Sequence, residues 1–184
     1  MVYLLKQFQW HIRTKCYIVL FSKNASNRLQ KLPFRFNEED PKCIKMKRML
    51  CRKIEDLIVN HGATHFISGM AIGVDMICGE IVLELKGKYQ YITLECAIPC
   101  RSQPDRWSNE MKDRYYSILN RSDCKTVLQE QYTSDCMHKR NEYMVEKSEI
   151  VIAVWDGSTS GTGYTVNFAK EKGKKIYVLN PEKL

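Results

Sequence analysis

Metal-ligand spacing, membrane-length apolar runs and repeated or low-complexity segments are all missing from this chain, and each absence removes a class of protein. Eight cysteines are present (Cys16, Cys43, Cys51, Cys78, Cys96, Cys100, Cys124 and Cys136), but no two form a CxxC pair. Most fall inside apolar patterns, where a free thiol packs as a small hydrophobe. The four histidines, His11, His61, His65 and His138, are equally scattered, so a metal centre has no support. No apolar stretch approaches the length of a membrane span, and the first fifteen residues, MVYLLKQFQWHIRTK, lack the unbroken apolar core of a signal peptide. The expectation is a cytoplasmic protein with no membrane partner. Without a repeat or a linker there is no case for a second domain: residues 16–184 are expected to form one unit, with 1–15 as an N-terminal extension.

What the chain does have is alternation. Its 184 residues, 44% of them hydrophobic, are enough for one sizeable core. Cys16–Phe21 reads as a first strand. A polar segment, Ser22 to Lys31, and then Leu-Pro-Phe-Arg-Phe36 lead to a long helix expected to start near Asn37. Glu38, Glu39 and Asp40 would sit in its first turn, against the positive end of the helix dipole. Its core face is Ile44, Met46 or the Lys47 stem, Leu50, Ile54, Leu57 and Ile58. Further strands are expected at 64–67, 91–98, 125–128, 150–155 and 175–179, and helices around Ile77 to Leu85 and over 107–119, 137–147 and 165–172. Buried-type strands alternating with helices predict an α/β fold: one doubly wound, mostly parallel sheet of about six strands with helices on both faces.

Two strand-to-helix junctions stand out chemically. Ile150–Trp155 runs through Asp156 into Gly157-Ser-Thr-Ser-Gly-Thr-Gly163 and then a helical pattern, so a strand end opens onto free backbone N–H groups where a phosphate or ribose could sit. Upstream, Thr64–Ile67 runs into Ser68-Gly-Met-Ala-Ile-Gly-Val-Asp75 and a second helix. Together they suggest a ligand crevice along one edge of a parallel sheet. Gly69 and Gly73 would let backbone approach a phosphate or sugar, and Asp75 would either cap its helix or accept a ribose hydroxyl. Gly161, Thr162 and Gly163 would form a second cradle, unless the glycines serve only a tight turn. Asp156 would orient a sugar hydroxyl or simply begin a turn before Gly157. Trp107 and Tyr132 are weaker candidates for stacking a base.

Charge offers another reading. The formal net charge is +8, and Lys42 to Lys53 is rich in Lys and Arg. Such a run could bind nucleic acid, but on a helix it spreads around the side opposite Ile44, Leu50 and Ile54, as an ordinary solvated face does.

Taken as blocks, KLPFRFNEED (31–40), HFISGMAIGVD (65–75), AIPC (97–100), CMHKRNEYMV (136–145) and SEIVIAVWDGSTSGTGYTV (148–166) resemble the SLOG superfamily, named for the DprA/Smf and LOG proteins. Within it they are similar to the YpsA-like branch, over roughly residues 31 to 181. The resemblance implies a Rossmann-like fold, a bacterial or phage source, and a nucleotide or nucleotide-derived ligand, ADP-ribose-like compounds included. It places Arg140 and Asn141 near the ligand cleft, although on the residues alone they could be a solvated helix face. Family members are often oligomeric, so a homo-oligomer is possible. Two departures bear on activity. The loop after the first strand, Ser22-Lys-Asn-Ala-Ser-Asn27, has neither the Gly nor the His usual in that branch. LOG-type enzymes resemble a PGGxGTxxE pattern, and its glutamate position is Thr165 here, so no acid/base pair is assembled. The resulting expectation is a non-catalytic ligand-binding sensor or regulator with no certain cofactor. The alternatives are a LOG-type N-glycosidic hydrolase using Asp75, Glu80 or Asp156, and a DprA-type binder of single-stranded nucleic acid.

Overall fold

The computed structural model describes the backbone of residues 15–21 and all of residues 37–184. Among the described residues six strands form one sheet: β1 (Lys15–Phe21), β2 (Ala63–Ser68), β3 (Thr93–Ile98), β4 (Cys124–Val127), β5 (Ile150–Val154) and β6 (Lys175–Leu179). Their order is β4-β3-β2-β1-β5-β6, and every pairing is parallel. Five α-helices connect them: α1 (Pro41–His61), α2 (Val74–Lys88), α3 (Asn109–Arg121), α4 (Cys136–Lys147) and α5 (Gly161–Glu171). This is the expected Rossmann-like, doubly wound α/β architecture. The order reverses at β1, which lies between β2 and β5. At such a switch point the helices leave for opposite faces, and a crevice opens beyond the carboxyl ends of the strands.

Side-chain direction follows the period of two along each strand. Phe66, Leu94, Cys96, Ile98, Ile150, Ile152 and Val154 join the α1–α3 core, whereas Ile67, Ala97 and Val151 meet Met144 and Val145 of α4 and Ala169 of α5. All five residues of β5 are buried, which is why it reads as a continuous apolar run. On α1 the buried stripe is Cys43, Met46, Leu50, Ile54, Leu57 and Ile58. Each of its larger apolar side chains contributes about 1.5–3 kcal/mol by leaving water. Cys43 takes the place expected for Ile44, which is half-buried.

Helix starts depart most from expectation. α1 begins at Pro41, because Asp40 is its cap: Oδ1 accepts the Lys42 N–H at 2.8 Å, and proline suits a first position with no N–H to satisfy. Glu38 therefore stands outside the helix, where it bonds Lys47 at 2.7 Å and shares the Arg114 guanidinium with Glu80. α3 begins after Ser108, whose Oγ accepts the Met111 N–H at 3.3 Å. α5 starts at Gly161 rather than Thr165, and that shift changes the site described below. Of the expected extension, Lys15 is the first residue of β1; residues 1–14 and the atypical loop Ser22–Asn27 lie outside the described residues.

Candidate functional site

The carboxyl end of β2 is held by a buried polar network. Ser68 closes the strand; its hydroxyl donates to the Asp75 carbonyl at 2.9 Å and accepts from the Met70 N–H at 3.3 Å. The chain then bends through Met70, which has a positive φ of 55°, to Gly73, whose φ of 99° precedes the first turn of α2. A side chain at either position is under backbone strain. Asp75, the second residue of α2, is 3% exposed and turns back into this loop, where Oδ2 accepts the Ala71 N–H at 3.1 Å. Its carboxylate also gains from the positive end of the helix.

Arg140 of α4 completes the network. It is 2% exposed, with Nη1 donating to the Gly69 carbonyl and lying 3.6 Å from Asp75 Oδ2. Burial pulls its pKa down, opposed chiefly by the Asp75 carboxylate. Gly69 has to be glycine for steric reasons: a Cβ there would lie 2.6 Å from Arg140 Cζ and 2.7 Å from Asp75 Oδ2. From Arg140 the network crosses to α5. Arg140 Nε donates to Asn141 Oδ1 at 2.7 Å, Asn141 Nδ2 to Thr165 Oγ1 at 2.9 Å, and Thr165 Oγ1 to the Gly161 carbonyl at 2.8 Å. The two Gly-rich junctions are thereby tied to one another beneath the strand ends.

At the second junction Asp156 Oδ1 accepts the Ser158 N–H at 2.9 Å, an Asx turn that leads into Gly157 at φ 93°. Trp155 folds over that turn and donates its indole N–H to the Ser158 carbonyl at 2.8 Å. Ser160 caps α5, accepting the Gly163 N–H at 3.0 Å. Gly161 and Thr162 thus belong to the first helical turn, where N–H groups lack intrahelical partners and attract anions. The glycines differ in purpose. A Cβ on Gly163 would meet the Ser158 carbonyl at 2.9 Å, whereas one on Gly161 would meet nothing within 4 Å. Thr162 is 1% exposed, and its hydroxyl has no hydrogen-bond partner among the described residues. Beyond the carboxyl ends of β5 and β6 lies a cleft of about 410 Å³, lined by Trp155, Asp156, Gly157, Asn180 and Lys183 among others.

Of the expected site residues, the structure joins Ser68, Gly69, Asp75, Arg140, Asn141 and Gly161 through hydrogen bonds and the Asp75–Arg140 ion pair, and places Asp156 and Gly157 just beyond β5 and Thr162 in the first turn of α5. Gly73 shapes the loop without entering the network. Sequence reasoning missed Gln103, whose Nε2 donates to the Met70 carbonyl at 3.2 Å from an irregular segment with no motif to mark it. It also missed Ser160, although a serine three residues before a helical N–H is a capping signal. Trp107 is half-buried and packs against the main core, edge-on to Tyr115 at 5.3 Å between ring centroids, and Tyr132 is exposed. The candidate acid Glu80 is drawn to α3, with Oε1 and Oε2 at 2.7 and 2.6 Å from Arg114.

The YspA SLOG family model matches residues 28–184. The chain belongs to the YspA SLOG family. Among its relatives is an uncharacterized SPbeta prophage-derived protein, YoqJ, of Bacillus subtilis strain 168, 34% identical over 158 residues that cover 78% of this chain and 92% of that protein. Two solved structures share the fold. One is DNA processing protein A (DprA) from Streptococcus pneumoniae, with a TM-score of 0.58 at 16% identity over 90% of this chain. The other, DNA processing protein A from Helicobacter pylori, is described for its single-stranded DNA binding mode and has a TM-score of 0.58 at 15% identity over 91% of this chain. The chain spans 50% and 66% of those two proteins. The likeness of this YspA SLOG family member to DprA is one of fold. Among the described residues of this family member, no group of three His, Cys, Asp or Glu could hold a metal ion, and no helix is long and apolar enough to cross a membrane.

Proposed function

We propose that this protein binds a nucleotide or nucleotide-derived small molecule at the carboxyl ends of β2 and β5 and acts as a sensor or regulator. The observation that carries the reading is the first turn of α5. There Gly161 leaves room above its Cα, and the Thr162 hydroxyl is buried without a protein partner among the described residues. A phosphate against this turn would gain the helix dipole and donors at close range. A cleft beyond the carboxyl ends of β5 and β6, which shares Asp156 and Gly157 of the same junction, has the volume of a small-ligand site and includes Lys183, a cation suited to an anionic ligand.

Hydrolysis finds less support. The Asp75 carboxylate accepts the Ala71 N–H and faces the Arg140 guanidinium, Glu80 is forked onto Arg114, and the Asp156 carboxylate closes its own turn. None of the three is placed as a general acid opposite a base. Native mass spectrometry of gently purified protein, followed by titration calorimetry with AMP, ADP and ADP-ribose, tests the reading. A retained or titratable nucleotide that is lost in Gly161→Asp is the expected result. An empty wild-type protein that is silent toward all three would overturn it.

A further inference from the structure

The two sides of the β5–β6 pair meet different neighbours. Val151 and Ile176 pack with residues of α4 and α5, whereas Ile152, Tyr177 and Leu179 face the side that carries α1. Between α1 and β6 that side holds a groove of about 470 Å³, the size of a small-ligand site. Its two walls change character in the same direction. On α1 the lining runs from Lys53 and Arg52 back to Met49, and on β6 from Tyr177 to Val178 and Leu179. The Lys53 ammonium lies 3.6 Å from the centre of the Tyr177 ring, so the two polar ends coincide, and Lys175 brings a second cation to 5.2 Å from the same ring. Asp56 offsets one of these charges by pairing with Lys53 at 2.8 Å. A hydrogen bond with Lys175, aided by the charge of Lys53, still lowers the pKa of the Tyr177 phenol, so this end of the groove remains electropositive. At the other end Met49 and Val178 are 39% and 51% exposed, beside the buried Leu50 and Ile152. An exposed apolar patch that borders a groove marks a binding surface.

The geometry points to a binding site for a single-chain amphiphilic anion, a fatty carboxylate, between α1 and β6. The carboxylate would lie against Lys53 and Lys175 beside Tyr177, and the alkyl chain along Met49, Val178 and Leu179. A polynucleotide would call for cations along the whole groove, and a neutral apolar guest would gain nothing from the cationic end. The apolar end continues into the cleft beyond β5 and β6, which shares Met49, Val178 and Leu179, so a longer chain finds further apolar surface there. The site stands whether or not the α5 turn takes a nucleotide.

Titration calorimetry of the full-length protein with octanoate, decanoate and dodecanoate, each below its critical micelle concentration, tests the assignment. One equivalent should bind, with affinity rising about threefold to fourfold per added methylene, as about 0.8 kcal/mol per buried CH₂ requires. Met49→Glu and Val178→Glu, both at exposed positions, should abolish the heat of binding. Lys53→Gln combined with Lys175→Gln should weaken decanoate about tenfold. Lys139→Gln, which removes an exposed cation of α4 outside the groove, should leave it unchanged. Each variant is first checked for folding by circular dichroism. A wild-type protein silent toward all three chains overturns the assignment, as does uptake that never saturates. So does decanoate binding that both glutamate variants retain at full affinity. An oligothymidylate that binds the wild-type protein and both glutamate variants equally, where decanoate does not bind, would give the lysines to a polynucleotide and likewise overturn it.

Discussion

Gly69 and Gly161 look alike in sequence, each a glycine at a strand-to-helix junction, yet a methyl group would test them in opposite ways. At Gly69 it would drive into the guanidinium of Arg140 and the carboxylate of Asp75. Gly69→Ala is therefore expected to cost about 1–3 kcal/mol, as overpacking does, and more if the buried ion pair parts. Thermal unfolding should show this as a fall of about 2–4 °C per kcal/mol for a chain of this size. Gly161→Ala should leave the melting temperature unchanged or slightly raised, because the helix gains a better former with nothing in its way, while weakening nucleotide affinity in calorimetry. Glu95 supplies a pH test. Burial alone would raise its pKa, but hydrogen bonds from His65 at 2.9 Å, Thr126 at 2.6 Å and Tyr143 at 2.8 Å outweigh that and hold it near 2, against an ordinary 4.5. The folded state thus favours the carboxylate. The associated stability, about 2 kcal/mol after allowance for partial solvent screening, is present above pH 4.5 and lost as pH falls toward 2. Urea unfolding midpoints across that window should slope less steeply in Glu95→Gln, and an unchanged slope would remove Glu95 from the acid response.

At the scale of elements, the strands were legible because their sequence is. β2, β5 and β6 carry runs of Ile, Val, Phe and Tyr that suit a pleated sheet, and in β5 burial of all five residues removes the polar alternation of a surface strand. Helix starts were harder to read, for two different reasons. At α1 the acidic run Glu38-Glu39-Asp40 drew the expected start forward, although the Asp40-Pro41 pair is itself a start signal of cap and first residue. At α5 three residues out of four that favour turns concealed a helix whose cap is Ser160. That cap should carry measurable weight: Ser160→Ala frees the Gly163 N–H and is expected to destabilise the protein by about 1 kcal/mol in denaturant titration. Since the same turn is the proposed anion site, the variant should also bind nucleotide more weakly.

For the molecule as a whole, alternation announced a parallel α/β sheet, but strand order is a long-range property that local pattern does not encode. That β1 lies between β2 and β5 explains why two junctions far apart in the chain open on the same edge. The linking residues were only half visible for a related reason: Arg140 and Asn141 sit on a helix whose pattern could equally be solvated, and burial became evident only when α4 was laid against the β2 loop. The positive charge, by contrast, remains largely where its spacing put it, with Lys42, Lys45, Arg48 and Arg52 exposed along α1. Trp155, with its indole N–H fixed to Ser158 and its ring 3.5 Å from where a Gly163 Cβ would stand, touches the turn that caps α5. In a chain with Trp10 and Trp107 replaced by phenylalanine it would be the sole tryptophan emitter. The wavelength and intensity of its light would then report, in real time and without any label, the arrival of a guest at the neighbouring helix.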